Sequence, residues 1–386
     1  METQHRPKRP WRSFVEWRAG RIDDPVVRLR YLRSFKPPVA ADGRGVRRRA
    51  GVLCLLVAVV TASALLVRAK VRVEPLPVYI RHVRPPAVWS ERVPDVWQVE
   101  KSAESEVYSN GLRIDTRFEI SNHPRSYRPF TMSGEELAPE TRRAEPVGIV
   151  FHTTESQQAP FEAGQNRVLK QVAESIVGYV RRHRAYNFLI DRFGRVYRIV
   201  REGDAAEHAG YSVWSDEHWV YINLNESFLG VSFEAKTQPG QEEPAVSPAQ
   251  IRAAAMLTEM LRSRYSISAT NCVTHAQVSV NPENMRVGWH TDWASSFPFE
   301  KLGLPDNYTL PLPALTAFGF DYDAAFVRLG GARLLAGVEL AEGRLREAAA
   351  ERGLAVEAYR RTLQRLYRER LGRLPHATSP GAEPVE

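Results

Sequence analysis

Cysteine is scarce in this sequence of 386 residues, which holds only Cys54 and Cys272. Cys54 lies inside a long apolar run, where it serves as a small apolar residue, so we do not expect the two thiols to pair. The scarcity excludes a disulfide framework and also excludes zinc sites made of paired CxxC motifs. A metal site in this chain would have to draw mainly on histidine and carboxylate side chains.

A basic surplus is missing from most of the chain, although the formal net charge is +8. Residues 1–50 carry 14 Lys and Arg against 5 Asp and Glu, and their net charge of +9 leaves the rest of the chain close to neutral. No basic stripe runs through the remaining sequence, which argues against a nucleic-acid groove. We therefore predict a basic, cytoplasmic tail over residues 1–50 and no nucleic-acid partner.

One long apolar run follows this tail. Residues 51–67 are 17 consecutive residues without a charge, bounded by Arg47–Arg49 on one side and by Arg68 and Lys70 on the other. This is the short end of the ~17–25 residues that span a bilayer. A cleavable signal peptide is the closest alternative, but the basic region before the run is long for one. We predict an uncleaved signal anchor, a single pass through the cell inner (cytoplasmic) membrane, with residues 71–386 in the periplasm or outside the cell.

Strand and helix signals alternate over residues 146–310. "VGIVF" is typical of a buried strand, and "YNFLI", "DRFG" and "RVYRIV" predict a hairpin with Gly194 in its turn. "NRVLKQVAESIVGYVRRHR" has apolar residues at helical spacing, and Ser247 with Gln250 forms a capping box for a second helix. The sequence therefore predicts an α/β domain with a mixed single sheet flanked by helices.

The segments on either side of this domain have other patterns. Residues 71–145 hold scattered prolines and short apolar alternations, which predict a linker with short strands. Residues 321–373 are rich in Ala, Leu, Arg and Glu and predict two or three helices, followed by a disordered tail over residues 374–386.

Three histidines and an aspartate are the strongest candidates for chemistry. His152 directly follows the "VGIVF" strand, His275 follows Cys272 in "NCVTH", and His290 and Asp292 lie two residues apart in "GWHTDW". If "GWHTDW" is extended, both of its side chains point to one face. Zinc needs three such protein ligands and one open position, although each histidine alone is more often an ordinary hydrogen-bonded residue. Cys272 is a weaker candidate, because three residues along a strand put it on the face opposite His275.

Motifs of other hydrolases are absent. The sequence holds no HExxH helix of the zinc proteases and no GxSxG turn of the serine hydrolases. What it holds, in order, is "GIVFHTTE", "AYNFLIDRFGRVYRIV", "EHAG", "FLGVSFEA" and "NCVTH…GWHTDW". Over roughly residues 145–305 this series resembles the zinc-dependent N-acetylmuramoyl-L-alanine amidases, which include the phage amidase lysozymes and the peptidoglycan recognition proteins.

The resemblance implies a set of site residues. His152 and His275 match the first two ligands of a Zn²⁺ ion, and Asp292 takes the place of the third, with His290 as the alternative. Tyr186 resembles a catalytic tyrosine of the family. His290 stands where many members have lysine, and it or Tyr186 is expected to stabilise the oxyanion or to pass a proton.

Other positions depart from the family pattern. Ser232 occupies the position of a catalytic glutamate in other branches, which leaves Glu234, two residues later, as a possible catalytic substitute. His208 matches a histidine that lines the substrate groove, and Ser232 is assigned to the same groove. Asp292 is followed by Trp-Ala-Ser, whereas the family usually has Pro-Gly there.

The implied function is hydrolysis of the amide that joins N-acetylmuramic acid to L-alanine in peptidoglycan, with the lipid bilayer as the anchor surface. If protonated His290 is the proton donor, activity is expected to fall as the pH rises through its pKa. Two alternatives remain at this point: a peptidoglycan-binding module without catalysis, and a scaffold of the cell envelope. The sequence does not indicate a protein partner.

Overall fold

The computed structural model describes residues 91–132, 142–236 and 246–374. The predicted basic tail 1–50, the predicted span 51–67 and residues 375–386 lie outside this described part. Among the described residues, no helix combines the length and the apolar character that crossing a membrane requires.

The strands, in chain order, are β1 Gln98–Lys101, β2 Ser105–Tyr108, β3 Arg113–Asp115, β4 Phe130–Thr131, β5 Gly148–Thr153, β6 Phe188–Ile190, β7 Val196–Arg198, β8 Val213–Ser215, β9 Trp219–Ile222, β10 Phe228–Phe233, β11 Cys272–Thr274, β12 Val280–Asn281 and β13 Arg286–Val287. The α-helices are α1 Asn166–His183, α2 Leu224–Ser227, α3 Pro248–Tyr265, α4 His275–Val278, α5 Pro313–Phe318, α6 Ala324–Glu351 and α7 Val356–Leu371. Single 3₁₀ turns span 163–165, 269–271, 299–302 and 307–309.

The main sheet has eight strands in the order β1-β2-β3-β7-β6-β10-β5-β11. Its centre is parallel, because β5 pairs in parallel with both β10 and β11, whereas β6 and β7 form an antiparallel hairpin. Two small sheets, β4-β9-β8 and β12-β13, accompany it. The mixed α/β architecture is confirmed, but the prediction of a single sheet was wrong, since loops beyond the main sheet pair among themselves.

Helices cover both faces of the main sheet. On one face α1 buries Val177 and Val180 against Leu189 of β6 and Tyr197 of β7. On the other face α3 buries Ala254, Leu257 and Leu261 in a core shared with Phe151 and Phe233. Alternation along a strand therefore points Phe151 to the α3 side and its neighbour His152 to the α1 side.

Local signals in the sequence account for several of these elements. Ser247 accepts a hydrogen bond from the Gln250 amide and the Gln250 side chain bonds the Ser247 amide, which is the predicted capping box at the start of α3. Gly194 has φ of +80° in the turn between β6 and β7, a conformation that glycine adopts without strain. Both predictions are confirmed.

Segments outside residues 146–310 are integral to this fold. The stretch predicted as a linker supplies β1, β2 and β3 to the main sheet, where Ile114 of β3 pairs in parallel with Val196 of β7. At the other end of the chain, Leu334 and Val338 of α6 and Tyr367 of α7 are buried in the same core as α3. The amidase-like region is thus flanked on both sides by chain that shares its sheet or its core.

Candidate metal centre

The predicted site residues collect at the carboxyl edge of the parallel strands. His152 is the penultimate residue of β5, and His275 follows β11 directly as the first residue of α4. Because β5 lies between β10 and β11, the ends of these strands meet at one edge of the sheet. This is the edge at which ligands bind in open α/β sheets.

His152, His275 and Asp292 form the ligand cluster, in which one potential ligand atom from each residue lies within 4.8 Å of the others. The Asp292 carboxylate joins the two rings: Oδ2 lies 3.2 Å from Nδ1 of His152, and Oδ1 lies 2.8 Å from Nδ1 of His275. All three side chains are buried. Their convergence is the geometry that the sequence could only suggest.

Charge within the cluster is set by burial and by the partners. Burial alone would raise the pKa of Asp292, but the imidazoles of His275 and His152 hold the pKa of this carboxyl far below its usual range. Burial, with a contribution from His275, lowers the pKa of His152 to about 4. At neutral pH the cluster therefore contains an ionised carboxylate beside a neutral His152.

These residues fit a zinc ion. Imidazole nitrogen and carboxylate oxygen are ligands that zinc accepts in catalytic sites with three protein ligands. Nε2 of His275 is buried and has no hydrogen-bond partner among the described residues, so no hydrogen bond competes with an ion for that nitrogen. His152, His275 and Asp292 are thus the residues that would hold the metal.

The "GWHTDW" segment is not extended. It runs through bends and a turn between β13 and the 3₁₀ turn at 299–302, and Trp293 has φ of 55°, in the left-handed region. His290 and Asp292 consequently do not share a strand face. Only Asp292 joins the ligand cluster, whereas the His290 ring stacks on the His275 ring with centroids 4.7 Å apart and planes at 17°. The lone pairs of an imidazole lie in the plane of its ring. A ring stacked parallel to His275 therefore does not direct a nitrogen at an ion in the plane of the His275 ring, which favours Asp292 as the third ligand.

His290 is half-buried, and its backbone amide donates to Oγ of Ser279 at 2.9 Å. Burial, together with the neighbouring His275, lowers the pKa of His290 to about 4. The imidazole is therefore neutral at neutral pH, which does not favour the protonated donor expected from the sequence.

Tyr186 lies next to the cluster, with its ring centroid 5.1 Å from that of His152. Burial raises the pKa of the Tyr186 phenol above its ordinary value, and the negative charge of Asp292 raises it further, while the nearby Ser232 hydroxyl partly offsets the shift. The phenol thus keeps its proton at neutral pH and is available as a hydrogen-bond donor.

Ser232 and Glu234 of the β10 segment have different surroundings. Ser232 pairs in register with His152 and is fully buried, but its hydroxyl has no partner at hydrogen-bonding distance among the described residues. Glu234 faces the turn after β6, where its Oε2 accepts the Arg192 amide at 3.2 Å. Burial raises the pKa of Glu234 to about 7. The structure does not bring this carboxylate into the ligand cluster.

His208 and Cys272 are both buried away from solvent. His208 lies behind His152, with its Nδ1 3.1 Å from Nε2 of His152, and does not line an open groove. The Cys272 thiol is buried in the α3-side core, and burial raises its pKa to about 12. Cys272 is therefore not a ligand candidate, in line with the opposite-face argument.

Trp293 was missed as a site residue. Its indole Nε1 donates to the carbonyl of His152 at 2.9 Å, and its own carbonyl accepts the Tyr308 hydroxyl at 2.6 Å. The residue is buried and its ring packs against Phe233 and Phe297. The sequence offered one signal for this role, namely the Trp-Ala pair at the place where the family has Pro-Gly.

A family comparison identifies the segment that carries the site. Residues 142–292 match the model of the family described as N-acetylmuramoyl-L-alanine amidase. All three members of the ligand cluster lie within this match, with Asp292 as its last residue. A comparison with curated protein sequences gives no match.

Solved structures of amidases are similar to the chain at low identity. The amidase LysC of Clostridium intestinale is 21% identical, over 48% of this chain and 93% of LysC, with a TM-score of 0.26. The amidase AmiD of E. coli, solved with an anhydro-N-acetylmuramic acid peptide substrate, is 18% identical over 62% and 94% of the two chains, with a TM-score of 0.34. AmpDh3 of Pseudomonas aeruginosa, in complex with an anhydromuramic pentapeptide, is 20% identical over 58% and 78%, with a TM-score of 0.32.

Proposed function

Because residues 142–292 match the N-acetylmuramoyl-L-alanine amidase family, we propose that the chain hydrolyses the amide between N-acetylmuramic acid and L-alanine of peptidoglycan with one zinc ion. The observation that carries this proposal is the ligand cluster, His152, His275 and Asp292, at the carboxyl edge of the sheet. A buried set of imidazole and carboxylate ligands within the family segment is the minimum that a zinc hydrolase needs.

The chemistry that a bound zinc ion supplies is polarisation of a carbonyl oxygen and a water pKa lowered to about 7. The chain supplies the other groups. The Tyr186 phenol, which keeps its proton, donates a hydrogen bond to the scissile carbonyl oxygen as negative charge develops there. His290, which is neutral and stacks on His275, takes up a proton from the attacking water and delivers it to the leaving amine.

Three residues that the sequence predicted for the site are given no contact with the substrate in this proposal. Glu234 is left out because its carboxylate is held by the Arg192 amide. His208 and Ser232 are left out because both side chains are buried beneath the edge of the sheet.

We also propose that residues 51–67 anchor the chain in the cytoplasmic membrane with the catalytic region on the outer side. The support is compositional: an uncharged run of 17 residues follows a strongly basic tail. Protease added to intact spheroplasts should then remove an epitope at the C-terminus and spare one at the N-terminus. Release of the whole chain by a salt wash would contradict the anchor.

The test of the activity uses the full chain in detergent with isolated peptidoglycan. Mass spectrometry is expected to find stem peptides with a free N-terminal alanine, released in a reaction that a chelator stops and added zinc restores. Peptidoglycan that binds the chain in a pelleting assay, without any peptide release in the presence of zinc, would instead establish the non-catalytic binding module.

Tyr186→Phe tests the assigned donor. Removing one oxyanion donor costs about 10²–10³ in turnover, so a loss of that size is expected with zinc content unchanged. Tyr179→Phe is the matched control, since Tyr179 stacks on His183 in α1 and does not contact the cluster. Equal turnover in the two variants would remove Tyr186 from the mechanism.

A further inference from the structure

His208 forms a second layer behind the ligand cluster. Its Nδ1 lies 3.1 Å from Nε2 of His152, and its Nε2 lies 3.2 Å from the carbonyl oxygen of Phe228. The ring is buried, and its contact with His152 is on the side away from Asp292. His208 is therefore placed to act on a metal ligand and not on substrate.

The direction of each hydrogen bond in the series His152, His208 and Phe228 follows from its last member, the carbonyl oxygen of Phe228. The Phe228 carbonyl can only accept, so Nε2 of His208 must carry the hydrogen. A neutral imidazole has one N–H, which makes Nδ1 of His208 an acceptor and requires Nε2 of His152 to donate to it. The remaining nitrogen of His152, Nδ1, then carries a lone pair.

That lone pair points into the ligand cluster. Nδ1 of His152 lies 3.2 Å from Oδ2 of Asp292, an oxygen of an ionised carboxylate. Two acceptors at this distance repel one another. In the metal-free chain this repulsion must be outweighed by the hydrogen bonds from His152 to His208 and from His208 to Phe228, because a hydrogen on Nδ1 would instead be donated to Asp292. The hydrogen bonds from His152 through His208 to Phe228 thus leave Nδ1 of His152 with the lone pair that ligation of a metal cation requires.

The position of His208 is fixed by the surrounding backbone. The amides of His208, Ala209 and Gly210 all donate to Oδ1 of Asn225, at 2.9, 2.7 and 2.9 Å. Beneath the ring, a Cβ added to Gly230 would lie 2.6 Å from Cγ of His208, so only glycine allows the ring to approach β10 this closely. The backbone hydrogen bonds to Asn225 and the close contact with Gly230 leave the imidazole little freedom to rotate.

We propose that His208 is a positioning residue that accepts the Nε2–H of His152 and thereby directs the Nδ1 lone pair of His152 to the metal. The metal itself rests on the proposed function, but the hydrogen-bond chain does not. Outer-shell partners of ligating histidines fix the tautomer and the ring orientation, and their loss costs about 10–100-fold in metal affinity.

Zinc affinity of the full chain, measured by competition with a chromophoric chelator, is the first test. His208→Leu fills the space without an acceptor and is expected to weaken zinc binding about 10–100-fold. His208→Asn places a carbonyl oxygen near the position of Nδ1 and is expected to restore most of the affinity. Leucine and asparagine variants with the same zinc affinity as the wild type would overturn the proposal, as would two variants weakened equally.

The tautomer of His152 in the metal-free wild type is the second test, and it needs no folded variant at position 208. In ¹⁵N spectra of the histidine-labelled chain, with His152 assigned from its loss in His152→Gln, the expected state is protonated at Nε2 and unprotonated at Nδ1. A His152 ring protonated at Nδ1 would overturn the proposal.

Neither readout uses peptidoglycan, so the two proposals fail separately. A chain that releases no stem peptide but loses zinc affinity in His208→Leu keeps the positioning role and loses the amidase function. A chain that is an active amidase with unchanged zinc affinity in His208→Leu keeps the function and loses the positioning role. If the wild type binds no zinc, the amidase proposal fails and the His152 tautomer alone decides about His208.

Discussion

The two halves of the candidate metal centre are built in different ways. In the strand half, β5 with His152 lies between parallel partners, and its six residues pair in register with the six residues of β10. In the loop half, residues 285–296 carry Asp292, and three of their non-glycine residues, Met285, Trp293 and Ser296, have positive φ. Backbone pairing fixes the first half, whereas individual contacts must fix the second.

Those individual contacts come largely from chain beyond the family segment. The Tyr308 hydroxyl holds the Trp293 carbonyl, and Asp321 exchanges backbone hydrogen bonds with Met285 and Val287. Phe326 of α6 packs so closely under Gly288 that an added Cβ would lie 2.3 Å from its ring. The family match ends at Asp292, but the support of Asp292 continues to α6. The loop that carries Asp292 is therefore sensitive to changes far along the sequence.

The most direct test of the loop half is to remove its metal ligand, Asp292. Asp292→Ala removes the carboxylate that joins the two imidazoles, so zinc affinity should fall by more than the ~10–100-fold typical of outer-shell changes. His290→Ala is the control and should leave zinc affinity nearly unchanged, because the His290 ring stacks on His275 and does not join the cluster. The opposite ranking in a competition titration would make His290 the third ligand.

A change in α6 tests whether the support of the loop is remote. Phe326→Ala should lower the free energy of unfolding by about 3–5 kcal/mol, as a buried phenylalanine truncation does, and should also weaken zinc binding. Phe318→Ala is matched in size and burial but packs against Tyr367, away from the loop. Chemical denaturation should show similar losses for both variants. If Phe326→Ala binds zinc as tightly as Phe318→Ala, α6 does not position the loop.

Trp293→Phe removes the hydrogen bond from the Trp293 indole to the His152 carbonyl, which links the loop half to the strand half, and keeps an aromatic ring in the same packing. The ring contacts with Phe233 and Phe297 remain, but the buried His152 carbonyl loses the indole donor, at a cost of about 1–3 kcal/mol. Zinc affinity should fall less than in Asp292→Ala. Denaturation and zinc titration of the same preparation measure both effects, and a variant identical to the wild type in both would show that the halves are held independently.

Glu234→Gln should affect stability and not the metal. The pKa of Glu234 is raised from 4.5 to about 7, so between these pH values the folded chain holds a proton that the unfolded chain has lost. The free energy of unfolding therefore decreases as the pH rises from 4.5 to 7, and the glutamine variant should lack this decrease while retaining turnover. Loss of turnover would return Glu234 to the catalytic site.

Glu106 provides the control of opposite sign. Burial alone would raise its pKa, but the ion pair with Arg198 lowers it to about 2. Its contribution to stability is therefore present above pH 4.5 and is lost as the pH falls toward 2. Thermal melts should show that Glu234→Gln lacks the decrease in stability of the wild type as the pH rises from 4.5 to 7. They should also show that Glu106→Gln lacks the increase in stability of the wild type as the pH rises from 2 to 4.5.

The sequence predicted best what local signals encode. The hairpin around Gly194, the capping box at Ser247 and the α1 helix all depend on neighbours within a few residues, and all are confirmed. The amidase family and the enzyme class, predicted from five motifs in order, are confirmed by the match over residues 142–292.

What the sequence did not predict depends on contacts between distant residues. Parallel pairing of Ile114 with Val196 places the supposed linker in the main sheet, and no local pattern encodes that partner. The position of His208 behind His152 depends on the absence of a side chain at Gly230, a residue on a different element. The bent path of "GWHTDW" depends on the left-handed backbone of Trp293, which its hydrogen bonds to His152 and Tyr308 stabilise.

The reliance of Asp292 on α6 also sets an order of assembly during synthesis. His152 and its strand partners can pair soon after β10 leaves the ribosome, but the loop that presents Asp292 lacks its support until Phe326 has been added. At about 5–20 residues per second, that support arrives roughly 10–30 seconds after His152. A nascent chain therefore offers a metal ion an incomplete ligand set, and the site reaches its final form only when the C-terminal helices dock.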